Sequence, residues 1–308
     1  MSQLSVLTIA RGRNAHLANM IEGLCRQKQM PRELVLVAMQ DDLYPIPQTP
    51  FPVRQIRMPG AHLPLAAARN AAAAAATGDR LVFLDVDCIP APSLIGDYDR
   101  RLGHFGGLLM GEVMYLPRGA AQPGWSYGAF DHVAERHSDR RGPPEDGLDL
   151  CRDYRCFWSL NFALHRRTFE DVGGFDERFT GYGGEDTDFG KMVDRAGHPI
   201  AWMAGARVYH QYHPHHMPPV HHLDSVLRNA QLFAQKWGYR TMEHWLRAFR
   251  LMGLVGDGPD GLVVLRRPGA DDFALTSQDD GQPYVNTATV LRYLEARETS
   301  AASPMVAE

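Results

Sequence analysis

The feature that most constrains the fold is the alternation of strand and helix patterns over the first half of the chain. Leu4–Ala10 and Glu33–Met39 are short runs of residues that favour strands. The second is almost wholly apolar, with the sequence LVLVAM. Such runs are typical of strands buried on both faces of a parallel sheet. Apolar residues between positions 17 and 24 recur at helical spacing. The pattern therefore predicts a strand, a crossover helix and a second strand.

A second unit of the same pattern leads into an acidic turn. Val53–Arg57 predicts a further strand, and the alanine-rich run Leu65–Thr77 predicts a helix that Gly78 ends. Low complexity is the alternative interpretation, but the glycine stop and the following strand, Arg80–Leu84, favour a packed helix. This βαβαβ order predicts a doubly wound, mainly parallel sheet with right-handed crossovers.

Acidic residues collect near the predicted strand ends, where ligands of such sheets bind: Asp41, Asp85 and Asp87. In FLDVDCIP, Asp85 and Asp87 can face the same crevice because alternate strand residues point the same way. Paired carboxylates suit Mg²⁺ or Mn²⁺, which would bridge pyrophosphate oxygens and offset charge on a leaving diphosphate. A solvated acidic turn is the alternative, since Asp-x-Asp is common by chance.

The second half of the chain is less regular. Residues 117–149 are rich in proline and glycine and contain Trp125 and Tyr127, which is typical of a lid or binding loop. Elements predicted after this loop are a strand at Cys156–Leu164, a helical turn at Thr168–Val172, a helix at Glu185–Ala196, a strand at Ile200–Tyr209, and helices at Leu223–Trp237 and Thr241–Leu251. We expect a domain over residues 1–220, in which 1–110 hold the donor and 111–220 hold the acceptor and catalytic groups, and an accessory helical extension over 221–308.

Composition excludes several protein classes. The chain has 308 residues, of which 22% are charged, and a formal net charge of -4; this balance does not favour a nucleic-acid binder. The four cysteines form no Cys-x-x-Cys pair and are expected to be reduced thiols, with a Cys151–Cys156 disulfide left open. Neither a signal peptide nor a membrane-spanning run is recognisable. We expect a cytoplasmic protein that can associate peripherally with the inner face of a membrane.

A second acidic motif, GYGGEDTDFGKMVDRAG, opens the predicted helix at Glu185. Its glycines permit a tight turn and close approach to a ligand. Glu185 and Asp186 lie at the helix N-terminus, where the dipole favours carboxylates, so ordinary first-turn acids are one interpretation. The dipole also lowers a carboxylate pKa and weakens a base unless burial opposes it. An ionised Asp186 near an acceptor hydroxyl could still take its proton during attack.

Histidines crowd the segment from His210 to His222. His210 ends a predicted strand and can therefore reach the crevice of Asp87, where neutral imidazole would be a third ligand for Mn²⁺. His213 is the reserve candidate. Because six histidines are more than one ion needs, a polar loop without a metal ligand is the alternative.

Together these motifs resemble the family 2 glycosyltransferases, and within them the galactosyltransferase-like group. The resemblance lies in the first strand, in the block AARNAAAAAATGDRLVFLDVDCIP and in GGFDERFTGYGGEDTDFGKMVDRAG, which follow in this order over most of residues 4–210. It implies a GT-A fold, that is, a Rossmann-like α/β domain with a mixed, mainly parallel sheet flanked by helices, here with a C-terminal helical extension.

The resemblance also implies which residues hold the nucleotide sugar: Thr8, Ala10, Arg11, Asp41, Arg69, Asp85, Asp87, Trp158 and Gly184. Asp41, or its neighbour Asp42, would contact the base, although Gln40-Asp41-Asp42 departs from the family pattern of Asp followed by small residues. Asp87 would bind the metal directly and Asp85 the ribose or a metal-bound water. Asn161 and Gly183 would help to shape the sugar and acceptor pocket. A surface ion pair for Arg69 and a core position for Trp158 are the alternatives.

By the same resemblance, Glu185 holds sugar hydroxyls and Asp186 is the catalytic base, which favours inversion. The expected enzyme is a metal-dependent hexosyltransferase, as in polysaccharide biosynthesis. It would use Mn²⁺ or Mg²⁺ and a nucleotide-diphosphate sugar, with UDP-hexose as the usual donor, and a glycan, lipid-linked or small-molecule acceptor. A sugar-nucleotide nucleotidyltransferase is disfavoured because ARGRNAHL has Arg11 and Arg13 but one glycine. A non-catalytic glycan- or metal-binding relative is the third hypothesis.

Overall fold

The computed structural model describes residues 3–60, 63–137, 140–259, 261–278 and 287–302, with side chains up to residue 298. Four mutually parallel strands form one side of its main sheet: β1 (Leu4–Ala10), β2 (Glu33–Ala38), β3 (Val53–Arg57) and β4 (Arg80–Leu84). All residues of β1 and β2 are buried, as expected for strands covered on both faces. The predicted parallel βαβαβ region is confirmed.

The main sheet continues with antiparallel and parallel neighbours. Beyond β4 it contains β10 (Asn161–His165), β6 (Leu108–Met110), β11 (Ile200–Met203) and β9 (Leu148–Cys151), in the order β3-β2-β1-β4-β10-β6-β11-β9. β10 is antiparallel to β4 and β6, and β11 is parallel to β6. The eight-stranded sheet is therefore mixed and mainly parallel in its first half, which is the predicted fold class.

A second, smaller sheet positions residues of the site. It contains β5 (Cys88–Pro90), β12 (Val208–His210), β7 (Val113–Tyr115) and β8 (Glu135–Arg136) in the order β5-β12-β7-β8. β12 is antiparallel to β5 and parallel to β7. The sheet brings the residues after Asp87 beside the residues before His210.

Helices flank the main sheet and follow in the C-terminal part: α1 (Asn14–Cys25), α2 (Leu65–Ala75), α3 (Leu94–Leu102), α4 (Tyr127–Val133), α5 (Arg166–Val172), α6 (Glu185–Arg195), α7 (Leu223–Trp237), α8 (Glu243–Leu251), α9 (Ala270–Thr276) and α10 (Thr287–Ala302). Buried alanines of α2 pack into the main core, which explains the alanine-rich run. Phe175 and Phe189 stack there with ring centroids 4.2 Å apart, so α6 is anchored on the sheet.

The chain divides into two compact units. The first contains Met1–Thr180 and Glu185–Tyr212, with both sheets described above. The second contains Gly181–Gly184 and His213–Glu308 and has its own apolar core from α7, α8, α10 and the hairpin β13 (Val255–Gly258) and β14 (Gly261–Val264).

Within the second unit, the glycine segment is held against α7. The Asn229 side chain donates to the Gly183 carbonyl at 2.7 Å, and the backbone N–H of Tyr182 donates to Ser225 Oγ at 3.1 Å. A Cβ on Gly181 would come within 2.5 Å of the Ser225 side chain, and Gly183 has φ +93°. Both positions therefore require glycine.

Two predicted strands do not form as single strands. The run Ile200–Tyr209 is not one strand: it is β11 and β12, which belong to different sheets, with Gly205 at φ +87° between them. In the run Cys156–Leu164, Cys156 is the last residue of a 3₁₀ turn (Tyr154–Cys156), and strand pairing begins only at Asn161. In both cases an apolar run hid a change of backbone direction. The irregular region 117–149 also contains α4, β8 and β9.

Candidate functional site

The Asp85–Asp87 turn leaves the carboxyl end of β4 and enters β5. The Asp85 backbone N–H donates to the Leu160 carbonyl at 3.0 Å, and the Cys88 N–H donates back to the Asp85 carbonyl at 2.9 Å. In the ladder between β5 and β12, Cys88 is the partner of His210, and the Gln211 N–H donates to the Asp87 carbonyl at 2.7 Å. The backbone of two paired strands therefore sets the positions of Asp87 and His210.

The Asp87 carboxylate has a neighbour at each oxygen. His210 Nε2 lies 3.4 Å from Oδ1, and Arg13 Nη1 lies 3.1 Å from Oδ2. Asp87 and His210 are both buried, at 8% and 5% exposure. Two ligand atoms 3.4 Å apart can each reach one ion at about 2.1 Å, and carboxylate with imidazole suits Mn²⁺ chemically. Asp87 and His210 thus form a possible metal site.

Arg69 connects the two acidic motifs. Its side chain extends from α2, is 5% exposed, and has Nη1 3.3 Å from Glu185 Oε1 and Nη2 3.6 Å from Asp85 Oδ1. The guanidinium also lies over the Phe175 ring, 5.3 Å from its centroid. The turn after β4 and the start of α6, about a hundred residues apart in sequence, therefore meet at one buried cation.

Three carboxyl groups share this single arginine, and their pKa values rise. Burial raises the pKa of Asp85 to about 7; Arg69 opposes this shift, whereas Asp87 and Glu185 reinforce it. Burial, followed by the charge of Asp186, also raises the pKa of Glu185 against the effect of Arg69. Burial is the larger cause of these shifts, and three carboxyl groups around one guanidinium also leave net negative charge, as expected where a cation is to bind.

At Asp186, the effect of burial on the pKa outweighs the effects that lower the pKa of a carboxylate at a helix N-terminus. Burial raises its pKa, against the lowering effects of Arg69 and of the Thr187 N–H, which donates to Asp186 Oδ1 at 2.7 Å. The adjacent Glu185 uses Oε1 for Arg69, while its buried Oε2 has no hydrogen-bond partner within the described ranges. This leaves an acceptor oxygen at the start of α6.

The residues predicted to surround the nucleoside lie at the ends of β1 and β2. Thr8 and Ala10 are buried, whereas Arg11 and Asp41 are exposed. A cavity of about 10 Å³, lined by Thr8, Arg69 and Asp85 among others, lies beside this edge. It has the size of one water site, and the buried Thr8 hydroxyl has no hydrogen-bond partner in the described part of the chain.

The loop between β1 and α1 is fixed by residues that sequence reasoning missed. Gln40 accepts the Gly12 N–H at 2.9 Å, and the Tyr44 hydroxyl donates to the Gly12 carbonyl at 2.8 Å. Arg13, which contacts Asp87, was noticed only as a basic residue after the first strand. Its approach to the acidic turn depends on long-range packing and has no local signal.

The residues predicted to shape the sugar pocket differ in their surroundings. Trp158 is half-buried, next to the His137 ring and the guanidinium of Arg140, which also lies over Trp202. Asn161 is fully buried: Tyr98 donates to its Oδ1 at 2.8 Å, and its Nδ2 donates to the Ala206 carbonyl at 2.7 Å. Gly184 belongs to the glycine segment of the second unit and directly precedes Glu185 in the chain.

Two family models match the chain. Residues 5–102 match "Glycosyl transferase family 2", and residues 146–216 match "N-terminal domain of galactosyltransferase". The first match contains the Asp85–Asp87 turn, and the second contains both Glu185 and Asp186.

Similar proteins carry glycosyltransferase names. Validoxylamine A glucosyltransferase of Streptomyces hygroscopicus subsp. limoneus is 25% identical over 76% of this chain and 56% of its own length. Chondroitin synthase of Escherichia coli is 40% identical over 22% of this chain and 10% of its own length. This chain therefore spans a little more than half of the length of the first relative and a tenth of the length of the second.

A solved structure, that of S. aureus TarS, covers 82% of this chain and 43% of its own, with 14% identity and a TM-score of 0.50. This likeness concerns the fold alone. With the sheet order, it defines the GT-A fold class. In sequence, residues 5–102 are similar to the family 2 glycosyltransferases and residues 146–216 are similar to the N-terminal domain of galactosyltransferase.

Across the residues with assigned structure, no helix combines the length and the apolar character that a membrane crossing requires.

Proposed function

We propose that this chain is a metal-dependent hexosyltransferase. It transfers a hexose from a nucleotide-diphosphate sugar, with UDP as the nucleotide, to an acceptor hydroxyl, and the anomeric configuration inverts. The acceptor class is a glycan, free or lipid-linked, or a small molecule. The observation that carries the proposal is the buried Arg69, which contacts Asp85 at 3.6 Å and Glu185 at 3.3 Å and so joins the two acidic motifs in one site.

On the donor side, Asp87 and His210 would hold Mn²⁺ or Mg²⁺, and Asp85 would contact the ribose or a water on the ion. His213, three positions after His210 in sequence, is the reserve candidate for the imidazole ligand. When bound, the ion offsets the negative charge that develops on the leaving diphosphate. Thr8, Ala10, Arg11 and Asp41 would surround the nucleoside at the adjoining strand ends, where open α/β sheets bind their ligands.

On the sugar and acceptor side, Glu185 and Asp186 would have separate tasks. Glu185 Oε1 is held by Arg69, whereas Oε2 is an unused acceptor in the described structure, which suits a hydrogen bond from a sugar hydroxyl. Asp186 is half-buried and the resulting desolvation raises its pKa, and a carboxylate shifted toward neutral pH is a better base at that pH. Trp158 and Gly184 would border the sugar.

Asp186 would take the proton of the acceptor hydroxyl while that oxygen attacks the anomeric carbon. The bond from that carbon to the diphosphate oxygen breaks as the new glycosidic bond forms on the opposite face. Inversion follows from this single displacement, and the proton resides on Asp186 at the end of the step. Arg69 keeps Glu185 in place and balances part of the local negative charge.

The test is a screen of nucleotide sugars with Mn²⁺, with Mg²⁺ and with a chelator, in which release of the nucleoside diphosphate is measured. Hydrolysis of the donor reports the chemistry even when the acceptor is unknown. We expect release with a UDP-hexose and loss of release on chelation. For the best donor, Asp186→Asn should reduce transfer to an acceptor by about 10²–10⁴-fold while donor affinity is retained.

Asp194→Asn is the matched control, because Asp194 lies on the same helix and its described partner is Lys191 at 3.7 Å. It should retain wild-type turnover. If no nucleotide sugar is hydrolysed and the protein instead forms a nucleotide sugar from a sugar 1-phosphate and a nucleoside triphosphate, the proposal is wrong in favour of nucleotidyl transfer. Glycan binding without any turnover would indicate a non-catalytic relative.

A further inference from the structure

Arg13 pairs with the oxygen of Asp87 that does not face His210. Its Nη1 lies 3.1 Å from Asp87 Oδ2, while His210 Nε2 lies 3.4 Å from the other oxygen, Oδ1. The Arg13 side chain is 34% exposed and that of Asp87 only 11%. One partner of this ion pair is therefore at the surface, and the other is the buried candidate ligand.

The backbone holds Arg13 at this place. Arg13 is the N-cap of α1 and has φ 55°, a left-handed conformation that is uncommon for a residue other than glycine. The preceding Gly12 is bound through its N–H by Gln40 and through its carbonyl by Tyr44. The loop backbone is thus fixed, but the long arginine side chain can rotate away from Asp87 without moving the loop.

We propose that Arg13 substitutes for the metal ion at Asp87 when no donor is bound, and that it transfers to the donor diphosphate when the metal binds. This inference rests on the proposed function. A divalent ion and a guanidinium beside one carboxylate repel each other, so an ion bound at Oδ1 weakens the contact between Arg13 and Oδ2. Metal binding on its own is therefore weaker than the ligands alone would make it.

A nucleoside diphosphate changes this balance. Its phosphate oxygens offer the released guanidinium a new anionic partner, since arginine binds phosphate through paired N–H donors. The nucleotide then strengthens metal binding beyond the direct contact between ion and phosphate. Because linkage is reciprocal, the metal strengthens nucleotide binding by the same factor. Arg13 thereby makes metal and donor bind together.

The experiment measures the affinity for Mn²⁺ alone, for UDP alone and for each in the presence of the other, by titration of the free Mn²⁺ electron paramagnetic resonance signal and by calorimetry at constant neutral pH. In Arg13→Gln, Mn²⁺ alone should bind about three- to tenfold more tightly than in the wild type, the range expected for loss of a half-exposed ion pair. The enhancement of Mn²⁺ binding by UDP should fall by about tenfold, within the usual range of coupling between sites.

Arg13→Lys keeps a cation at this position and should retain weak binding of Mn²⁺ alone. Arg100→Gln is the charge-matched control, because Arg100 is 63% exposed on α3 and pairs there with Asp97; it should behave like the wild type. Thermal melting of each variant checks folding. Unchanged or weaker Mn²⁺ affinity in folded Arg13→Gln, or unchanged coupling between Mn²⁺ and UDP, overturns the inference. Neither result contradicts the proposed glycosyltransferase function. A wild type that neither binds Mn²⁺ nor hydrolyses a donor removes the proposed function as well.

Discussion

Buried or half-buried carboxylates lie at both ends of the parallel strands, and their surroundings differ between the two ends. At the amino end, Glu33 begins β2 and is 5% exposed; at the carboxyl end, Asp85, Glu185 and Asp186 surround Arg69. Burial alone would raise the pKa of Glu33, but hydrogen bonds from Thr77 and Ser5 and the charge of Arg54 lower it.

The two regions differ in how completely hydrogen-bond donors and cations balance the carboxylate charge. One oxygen of Glu33 accepts from the Thr77 N–H at 2.6 Å, the Thr77 hydroxyl at 2.7 Å and the Ser5 hydroxyl at 2.8 Å. At the other end, three carboxyl groups have raised pKa values and share the cation of Arg69. A complete set of donors indicates a structural carboxylate, whereas unbalanced negative charge indicates a site that is completed by a ligand.

Removing one negative charge from the site at the carboxyl end of the strands should have the largest effect. Asp87→Asn should reduce metal-supported donor turnover on the order of 10³-fold, since several kcal/mol of charge stabilisation depend on the ion. It should leave the melting temperature close to that of the wild type. Turnover with saturating Mn²⁺ is the measurement, and Asp146→Asn, at a 98% exposed side chain, is the control. Wild-type turnover in Asp87→Asn would contradict the metal assignment.

Asp85→Asn tests whether the unbalanced charge lowers stability. The folded-state pKa of Asp85, about 7, lies above its ordinary value of 3.8, so the folded chain retains a proton that the unfolded chain has lost. The contribution of Asp85 to wild-type stability should therefore decrease as pH rises from about 4 to about 7.

The substitution removes this decrease and should stabilise the metal-free protein at pH values above about 7 by up to about 4 kcal/mol, the linkage equivalent of a pKa shift from 3.8 to about 7. Denaturant unfolding across this pH range, with a chelator present, measures the effect. If Asp85→Asn were less stable than the wild type at alkaline pH, the contrast between the two strand ends would not hold.

Glu33→Ala tests the opposite end of the strands. It leaves the Thr77 and Ser5 donors without their acceptor and should destabilise the fold by about 1–2 kcal/mol, while kcat and donor KM remain unchanged. Chemical unfolding beside turnover separates the two effects. Glu22→Ala is the control at an exposed carboxylate on α1. A specific loss of donor affinity in Glu33→Ala would place this carboxylate among the functional groups.

Much of the first half of the fold could be predicted because its pattern is local. β1, β3 and β4 have the predicted bounds, and β2 ends one residue earlier than predicted. Each is a short run between recognisable helices and turns, and buried parallel strands need few other signals. The acidic turn at Asp85 and the acidic helix start at Glu185 were visible for the same reason.

The remaining features depend on contacts between distant parts of the chain. Nothing near Arg69 in sequence indicates that its side chain contacts both Asp85 and Glu185, although the family resemblance pointed to the residue. Ile200–Tyr209 looked like one strand because the turn at Gly205 interrupts it only through backbone conformation; a Cβ there would come within 2.8 Å of Asp97. That turn moves the chain to the second sheet and puts His210 opposite Cys88.

The pairing of β5 with β12 has a consequence for how the chemistry of such a site can change. Main-chain hydrogen bonds, including that from Gln211 to Asp87, fix the two positions from which Asp87 and His210 extend. A single base change at codon 210 could exchange imidazole for a carboxylate or an amide while the scaffold stays the same. Descendants of one ancestor could in this way adapt to different cation supplies without passing through a misfolded intermediate.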